Sequence, residues 1–185
     1  NGNRGITIGG IQYPKGIFNI WTEAERNAIG LYEIIWNNSK KKDDEYYINT
    51  DQTYTYDADA GTVTATYGDA TARPHANVLF TAQDETDGKG TEGEVAVEGL
   101  KTIKIREIKK QAAGELAKTD WYVVRKADAG TAVPSAITTH RAAVRTKAAE
   151  QETAITNAAD TAAIETLYTY VDGSRPLGEL PTLES

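Results

Sequence analysis

The chain of 185 residues contains no cysteine and no methionine, and each absence limits what the protein can do. Without cysteine it can form no disulfide, no thiolate metal site and no cysteine nucleophile. The redox compartment of the protein therefore cannot be inferred from its cysteines. The missing methionines include the initiator, because the first residue is Asn1. We therefore expect a processed or trimmed amino terminus, which an intact mass would check.

Long apolar runs and an excess of basic residues are also missing. No apolar run approaches the ~20 residues that a membrane-spanning helix needs, and no signal peptide is recognisable, so we expect a soluble protein with no membrane partner. The 20 basic and 27 acidic residues give a net charge of −7. Because phosphate neutralisation requires a concentrated basic surface, we expect no nucleic-acid partner.

Motifs for catalysis and for metal binding are not recognisable. The chain has no Gly-x-Ser-x-Gly elbow and no phosphate-binding loop, and its two histidines, His75 and His140, are 65 positions apart. The loop at Asp57–Gly61 resembles the start of a calcium loop, but the twelfth position is Gly68 instead of the required acid, so we interpret it as a hairpin turn. Glycoside hydrolysis, which needs only two carboxylates at a set distance, stays open. We predict a protein that is not an enzyme and has no cofactor.

Charge is distributed unevenly and predicts where the parts of the chain meet. Residues 84–99 carry 1 basic and 6 acidic side chains with four glycines, whereas residues 1–83 carry 7 and 10, and residues 100–171 carry 11 and 8. An acidic, glycine-rich stretch with few bulky apolar residues is typical of a linker. We predict a mainly β module at 1–83, a linker at 84–99, a helical module at 100–171 and an extended tail at 172–185.

Alternating apolar residues predict that the first module is mainly antiparallel sheet. Thr53–Tyr56 and Thr62–Tyr67 alternate in this way around a loop that ends in glycine, which predicts a β-hairpin. Leu31–Trp36 is apolar on both faces and predicts a central strand. One short helix, about Glu23–Ile29, is expected after the capping box that Thr22 opens.

Apolar residues recur at helical spacing after the linker and predict a helical hairpin or three-helix module. A first helix should run to about Lys118 and lead into an aromatic turn and an extended segment. A long helix over about 136–157 should follow, with Ser135 as its N-cap. Asp160 should cap a third helix over 161–170, and glycines and prolines keep the remaining tail non-helical. The prediction for the whole chain is an α+β protein.

The helical module carries two clusters of side chains that could bind another protein: Asp120, Trp121, Tyr122, Arg125, Arg141 and Arg145. Trp and Tyr are favoured interface residues, and the two arginines Arg141 and Arg145 share a helix face at i,i+4 spacing. The alternative, which has the greater weight, is that the aromatic residues close the hairpin as core and that the arginines lie on a solvated face.

Tyrosines in the predicted sheet support a different kind of binding. The five concerned are Tyr46, Tyr47, Tyr54, Tyr56 and Tyr67. Aromatic faces can stack on sugars, but alternating tyrosine is also ordinary in strands. Carbohydrate binding is therefore a minor alternative.

Residues from about 100 to 145 resemble the C-terminal part of tail-fibre-assembly and tail-assembly-chaperone families of tailed bacteriophages. In those families a helix ends in an Asp-Trp pair, and a helix with Arg-x-x-x-Arg follows a proline-containing spacer. The matching positions here are Asp120, Trp121, Pro134, Arg141 and Arg145. Tyr13–Trp21 and Glu25–Ile34 are similar to the opening of small phage tail-associated proteins.

The resemblance implies a virion structural protein that acts through protein contacts in a phage tail, tail fibre or baseplate. Its partners would be other tail or tail-fibre proteins, in a homo- or hetero-oligomeric assembly formed in the host cytoplasm. Those assembly proteins tend to stop soon after the arginine-bearing helix, whereas this chain adds residues 146–185. The extension favours a component retained in the particle over a transient fibre-assembly chaperone, and a carbohydrate-binding receptor module is a further alternative.

Overall fold

The computed structural model describes residues 5–183 and confirms that the protein is α+β. The chain divides into two compact units, Asn1–Thr71 and Ala72–Ser185, with sheets in the first and mainly helices in the second. The division lies earlier than the boundary predicted after residue 83. The reason is local, since the carbonyl of Pro74 accepts a hydrogen bond from the amide of Leu100 at 2.9 Å and so joins this stretch to the helices.

The first unit consists of short strands and two short helices. In chain order they are β1 Ile6–Ile8, β2 Ile11–Tyr13, α1 Ile17–Ile20, α2 Glu23–Ala28, β3 Ile34–Asn37, β4 Tyr47–Ile48, β5 Thr53–Asp57 and β6 Thr62–Thr66, with β7, Thr71–Ala72, at the boundary. Strands β1 and β2 form an antiparallel hairpin. Helix α2 begins as predicted, because the Thr22 hydroxyl accepts from the Glu25 amide at 3.3 Å and the Glu25 carboxylate accepts from the Thr22 amide at 2.8 Å.

A three-stranded sheet, in the order β3-β6-β5, is the largest sheet described. Strands β5 and β6 pair antiparallel, with Tyr56 opposite Val63, which confirms the predicted hairpin. Strand β3 pairs parallel to β6, so the first module is not purely antiparallel. The prediction of a central strand over residues 31–36 was wrong: β3 lies at the sheet edge and all its residues are exposed. An apolar sequence by itself does not tell a buried central strand from an exposed strand at the edge of a sheet.

The second unit contains two more strands and five helices among its described residues. They are β8 Val78–Leu79, α3 Ala82–Thr86, β9 Val95–Val97, α4 Leu100–Ala117, α5 Asp120–Ala129, α6 Ser135–Asn157 and α7 Thr161–Tyr168. The predicted cap of the last helix is confirmed, since the Asp160 carboxylate accepts from the Ala163 amide at 2.8 Å. Ser135 is not an N-cap: Pro134 occupies that position, without a side-chain hydrogen bond.

The segments predicted as a linker and as an extended tail both make tertiary contacts, and the described part of the tail is non-helical as predicted. Within residues 84–99, strand β9 pairs with β8, and Asp84 completes a capping box with Thr81 at the start of α3. In the tail, Leu177 is only 3% exposed and its amide donates to the carbonyl of Leu167 at 3.0 Å. Leu180 also packs against the core, and the Gln151 carboxamide donates to the Gly178 carbonyl at 2.9 Å, so the tail is docked by a few contacts that its overall composition does not predict.

The core of the second unit lies between α4 and α6 and is completed by the tail. Its buried members are Ile108, Ala112, Val144, Ala148, Ile155 and Leu177. The periodicity of α4 therefore does place one face inward, as predicted. Within residues 5–183, no helix is both long enough and apolar enough to cross a bilayer.

Candidate protein-docking surface

The candidate residues Asp120, Trp121, Tyr122 and Arg125 all lie on α5. The sequence-based prediction of an aromatic turn followed by an extended segment was wrong, because α5 is a ten-residue helix. It ends at Gly130, whose φ of 69° is left-handed and whose amide donates to the Lys126 carbonyl at 3.0 Å. This is the glycine-terminated helix end that satisfies a last-turn carbonyl.

Arg141 of α6 fixes the corner between α4 and α5. Its guanidinium Nη1 donates to the Leu116 carbonyl and to the Thr119 hydroxyl, each at 2.7 Å, and lies 2.8 Å from the Asp120 carboxylate. Carbonyls in the last turn of a helix lack their usual intrahelical partners, and the Leu116 carbonyl accepts from this guanidinium as well as from the Thr119 amide at 3.1 Å. Arg141 is 9% exposed and Thr119 is fully buried. The solvated-face interpretation of Arg141 was therefore wrong.

Trp121, Tyr122 and Arg125 form a stacked cluster at the start of α5. The two ring centroids are 3.8 Å apart, and the Arg125 guanidinium lies 4.7 Å from the Trp121 ring centre and 5.4 Å from that of Tyr122. Such cation–π contacts contribute about 0.5–1 kcal/mol at exposed sites. Trp121 is 52% exposed, so it does not close the hairpin as core.

Apolar exposure on α5 is unusual for so short a helix. No residue of α5 is buried, and Val124 is 65% exposed. Trp121, Val124 and Arg125 follow i, i+3, i+4 spacing and therefore share a face. We define the α5 surface as Trp121, Tyr122, Val124 and Arg125. A helix of this length is not stable by itself in water, so its apolar face is expected to gain from cover.

Arg145 lies one helical turn after Arg141 on α6 but makes different contacts. It is exposed, and Nη1 donates to the Arg141 carbonyl at 3.5 Å, the outer limit of a hydrogen bond. No acidic side chain among residues 5–183 pairs with it. The structure thus brings Asp120 to Arg141 and leaves the guanidinium of Arg145 open to another molecule.

Sequence reasoning missed Thr119, which supplies the hydroxyl at the centre of the corner. Its hydroxyl donates to the Leu116 carbonyl at 3.0 Å while accepting from Arg141. The only signal was a hydroxyl residue between Lys118 and Asp120, where a helix was expected to end. Its partner is 22 positions away, and nothing local predicts that pairing.

Two further features of the described chain bear on metal binding and on cavities. Residues 5–183 contain no group of three His, Asp or Glu side chains arranged to hold a metal ion. An open concavity of about 610 Å³ lies along α6, lined by Thr146, Ala149, Glu150, Thr153 and Ala154. Its lining consists of two hydroxyls, two alanine methyls and the Glu150 carboxylate.

The five tyrosines considered for sugar binding are not equivalent in the structure. Tyr46 and Tyr47 are each 4% exposed and belong to the core of the first unit, whereas Tyr54 and Tyr56 are 56% and 51% exposed. Tyr54 and Tyr56 are two positions apart on β5 and therefore share a face. Tyr67 is half-buried. Two of the five are therefore placed to stack on a ligand.

Comparisons of the chain with protein-family models, with curated proteins and with solved structures find no match. The geometry itself therefore carries the functional argument. It consists of a helix held in place by a buried arginine, an aromatic–cationic cluster at its start and uncovered apolar side chains along it. These features fit recognition of another polypeptide, because aromatic side chains and arginine are enriched at the centres of protein interfaces.

Proposed function

We propose that the protein is a structural component of a bacteriophage tail, tail fibre or baseplate, and that the α5 surface is where it docks onto another tail protein. The observation that carries the proposal is a ten-residue helix without a buried side chain that is nevertheless fixed in position. Arg141 holds the start of the helix through three contacts, while Trp121 and Val124 stay more than half exposed.

A helix that is fixed in position but exposed favours docking, because it is already ordered before the partner binds. Preorganised surfaces bind more tightly since less conformational freedom is lost on association. Trp121 and Arg125 are also the residue types that dominate binding energy in alanine scans. The partner surface should therefore offer an apolar groove for Trp121 and Val124, with an acidic group near Arg145.

The assignment to a phage is supported by the sequence resemblance, whose positions coincide with this architecture. Asp120 of the Asp-Trp motif and Arg141 of the Arg-x-x-x-Arg motif form an ion pair at the corner between α4 and α5. The tail at residues 172–183 packs on its own unit and so does not by itself indicate a neighbour. The fibre-assembly chaperone, which would use the same surface transiently, is the second candidate.

Mass spectrometry of purified particles tests the assignment. A structural component is expected at a fixed stoichiometry to the other tail proteins. Recovery from infected-cell lysate but not from particles would contradict the structural role, and a rise in fibre yield on coexpression would then support the chaperone.

A pair of variants tests the surface itself. Val124→Asp places a charge on the α5 surface, and Val171→Asp is the matched control because Val171 is 63% exposed elsewhere in the same unit. We expect Val124→Asp to reduce incorporation into particles at least tenfold, a loss of about 1.4 kcal/mol or more, while Val171→Asp is incorporated normally. Equal incorporation of the two variants would contradict docking through α5.

A further inference from the structure

Strands β8 and β9, which we call the ribbon, expose a second apolar surface in the second unit. Val78, Leu79, Val95 and Val97 are 43%, 48%, 45% and 49% exposed. Val78 lies opposite Val97 and Leu79 opposite Val95, with a register shift between Val78 and Leu79. Opposed residues point to the same face of a ribbon, so the four side chains form two exposed apolar pairs, Val78 with Val97 and Leu79 with Val95.

The ribbon is incomplete as a sheet. It has two strands, and no other strand among residues 5–183 pairs with the outer edge of β9. An isolated two-stranded ribbon is only marginally stable in water, and a third strand or a packed helix is needed for independent stability. An unpaired edge also offers backbone donors and acceptors to an incoming strand.

The ribbon is fixed at its base although its edge is open. The Asn77 carboxamide oxygen accepts from the Gly99 amide at 2.9 Å and from the Thr102 hydroxyl at 2.7 Å. A Cβ at Gly99 would lie 2.2 Å from the Ala76 carbonyl carbon, so the two segments touch through their backbones. The edge of β9 is therefore presented in one position to a partner.

Charge decides which partner fits. Residues 84–99 contain six acidic side chains and one lysine, and Lys89 is already paired with Asp84 and Asp87 at 3.1 and 3.0 Å. Glu92 and Glu94, just before β9, have no cationic partner among residues 5–183. Two ribbons side by side would place these carboxylates against each other, and like charges across strands destabilise pairing. The complementary strand must be apolar and basic.

One strand of this chain has that character. Strand β3 lies at a sheet edge, and Ile34, Ile35 and Trp36 are 40%, 51% and 51% exposed. It is followed by Lys40–Lys42, the only run of three basic residues in the sequence. Lys40 and Lys41 pair with Asp69 and Asp44 at 2.9 and 3.1 Å, but these pairs are solvent-exposed. Exposed ion pairs are weak, so the lysines can change partners.

We propose that β3 of one copy of the protein adds antiparallel to the open edge of β9 in a second copy, so that the lysine run after β3 lies at the end of β9 that carries Glu92 and Glu94. The added strand places the apolar side chains of β3 beside those of the ribbon. The contact joins two different surfaces, so it is heterologous and repeats from copy to copy, which generates a ring if the rotation closes and a filament if it does not. It uses no residue of the α5 surface.

Sedimentation velocity of the full-length chain tests self-association. We expect the weight-average mass to rise at least twofold above that of the monomer as the protein approaches about 1 mM. Because the contact between the lysines and the glutamates is exposed to solvent, the rise in mass should weaken between about 0.05 and 0.5 M salt, over which the Debye length falls from about 14 to about 4 Å. A chain that stays monomeric throughout overturns the proposal.

A charge-swap experiment identifies the surfaces. Glu92→Lys/Glu94→Lys and Lys41→Glu/Lys42→Glu should each remain monomeric alone, whereas their 1:1 mixture should recover association, because each then offers what the other lacks. Glu23→Lys/Glu150→Lys is the control with the same change of charge elsewhere, and it should associate like the wild type. Variants that associate alone, or a mixture that stays monomeric, overturn the proposal.

Hydrogen exchange separates strand addition from nonspecific attraction. Amides of β3 and β9 should become protected at least tenfold in the associated wild type and unchanged in the monomeric variants. Association without that protection also overturns the proposal. Absence of the protein from phage particles would bear on the α5 proposal alone, because self-association is measured on the isolated chain.

Discussion

The two units differ in how far they bury their own apolar side chains. In the second unit, Val144, Ile155 and Ile164 have no exposed surface, and helices and tail share one core. In the first unit, every residue of β3 and of β5 is exposed. A unit with a closed core can hold its shape without help, whereas a sheet with uncovered strands gains from contact with other chains. The second unit is therefore expected to be stable by itself, whereas the exposed strands of the first unit are expected to gain stability from contact with another chain.

The largest effect should come from deleting core volume in the helical unit. Ile155→Ala should lower the free energy of unfolding by about 2–5 kcal/mol, because it removes a fully buried side chain and leaves a cavity. Ile35→Ala in β3, where the side chain is 51% exposed, should change it by less than about 0.5 kcal/mol. Urea unfolding followed by circular dichroism measures both. If the two substitutions lowered the free energy of unfolding by similar amounts, the proposed difference in core burial between the units would be contradicted.

A smaller effect should follow from removing the guanidinium that fixes α5. Arg141→Met should lower the free energy of unfolding by about 1–3 kcal/mol, because the Leu116 carbonyl and the Thr119 hydroxyl lose a buried donor. The Asp120 carboxylate is 58% exposed, so its ion pair contributes little to that sum.

The control for Arg141→Met is Arg145→Met, which should change stability by less than about 0.5 kcal/mol. Fluorescence gives an independent measure, since Trp121 stacks on α5 and its emission should shift only when α5 loses its fixed start. An Arg141→Met protein with wild-type stability and emission would show that the corner holds without the arginine.

The smallest effect concerns pH at the capping box of α3. Hydrogen bonds from the Thr81 hydroxyl and amide, with Lys89 nearby, lower the pKa of Asp84 from 3.8 to about 2. Because this pKa is depressed in the folded state, the capping contribution is fully present above pH 3.8 and is lost as the pH falls toward about 2. A carbon-detected NMR titration of the Asp84 carboxyl measures this. Thr81→Ala should return the midpoint toward 3.8, and a wild-type midpoint already there would contradict the assignment.

The first unit has the equivalent box at α2, where hydrogen bonds from the Thr22 amide and hydroxyl lower the pKa of Glu25. Glu25 has no lysine corresponding to Lys89 in that box. The same titration should therefore find the pKa of both carboxylates depressed. The titration would thus compare the capping box of α2 in the first unit with the capping box of α3 in the second.

Elements whose signals are local could be predicted from the sequence. The capping box at Thr22, the cap at Asp160, the β5–β6 hairpin and the long helix α6 each depend on residues within a few positions, and all four are present. Helix α5 was missed because Trp-Tyr-Val-Val, at residues 121–124, has high strand propensity, whereas the contacts that fix the start of the helix come from Arg141 on α6.

The candidate site could be predicted only in part, since its members were found but their roles were not. Arg141 and Thr119 are 22 positions apart, and only the packing of α6 against α4 brings them together. Leu177 illustrates the same limit in the tail, because it is buried against helices that are distant in the sequence although its own segment is rich in glycine and proline. The exposure of Trp121 also depends on tertiary structure, because the same residue in a closed hairpin would be core.

The attachment of the ribbon at Asn77 has a mechanical consequence. The Pro74 and His75 carbonyls accept from the first amides of α4, at 2.9 and 3.0 Å, and Asn77 adds the Gly99 and Thr102 contacts beside them. The ribbon is therefore joined to the start of α4 by these four hydrogen bonds as well as by the chain itself. Separating the ribbon from α4 would require all four to break, so we expect the two to unfold together.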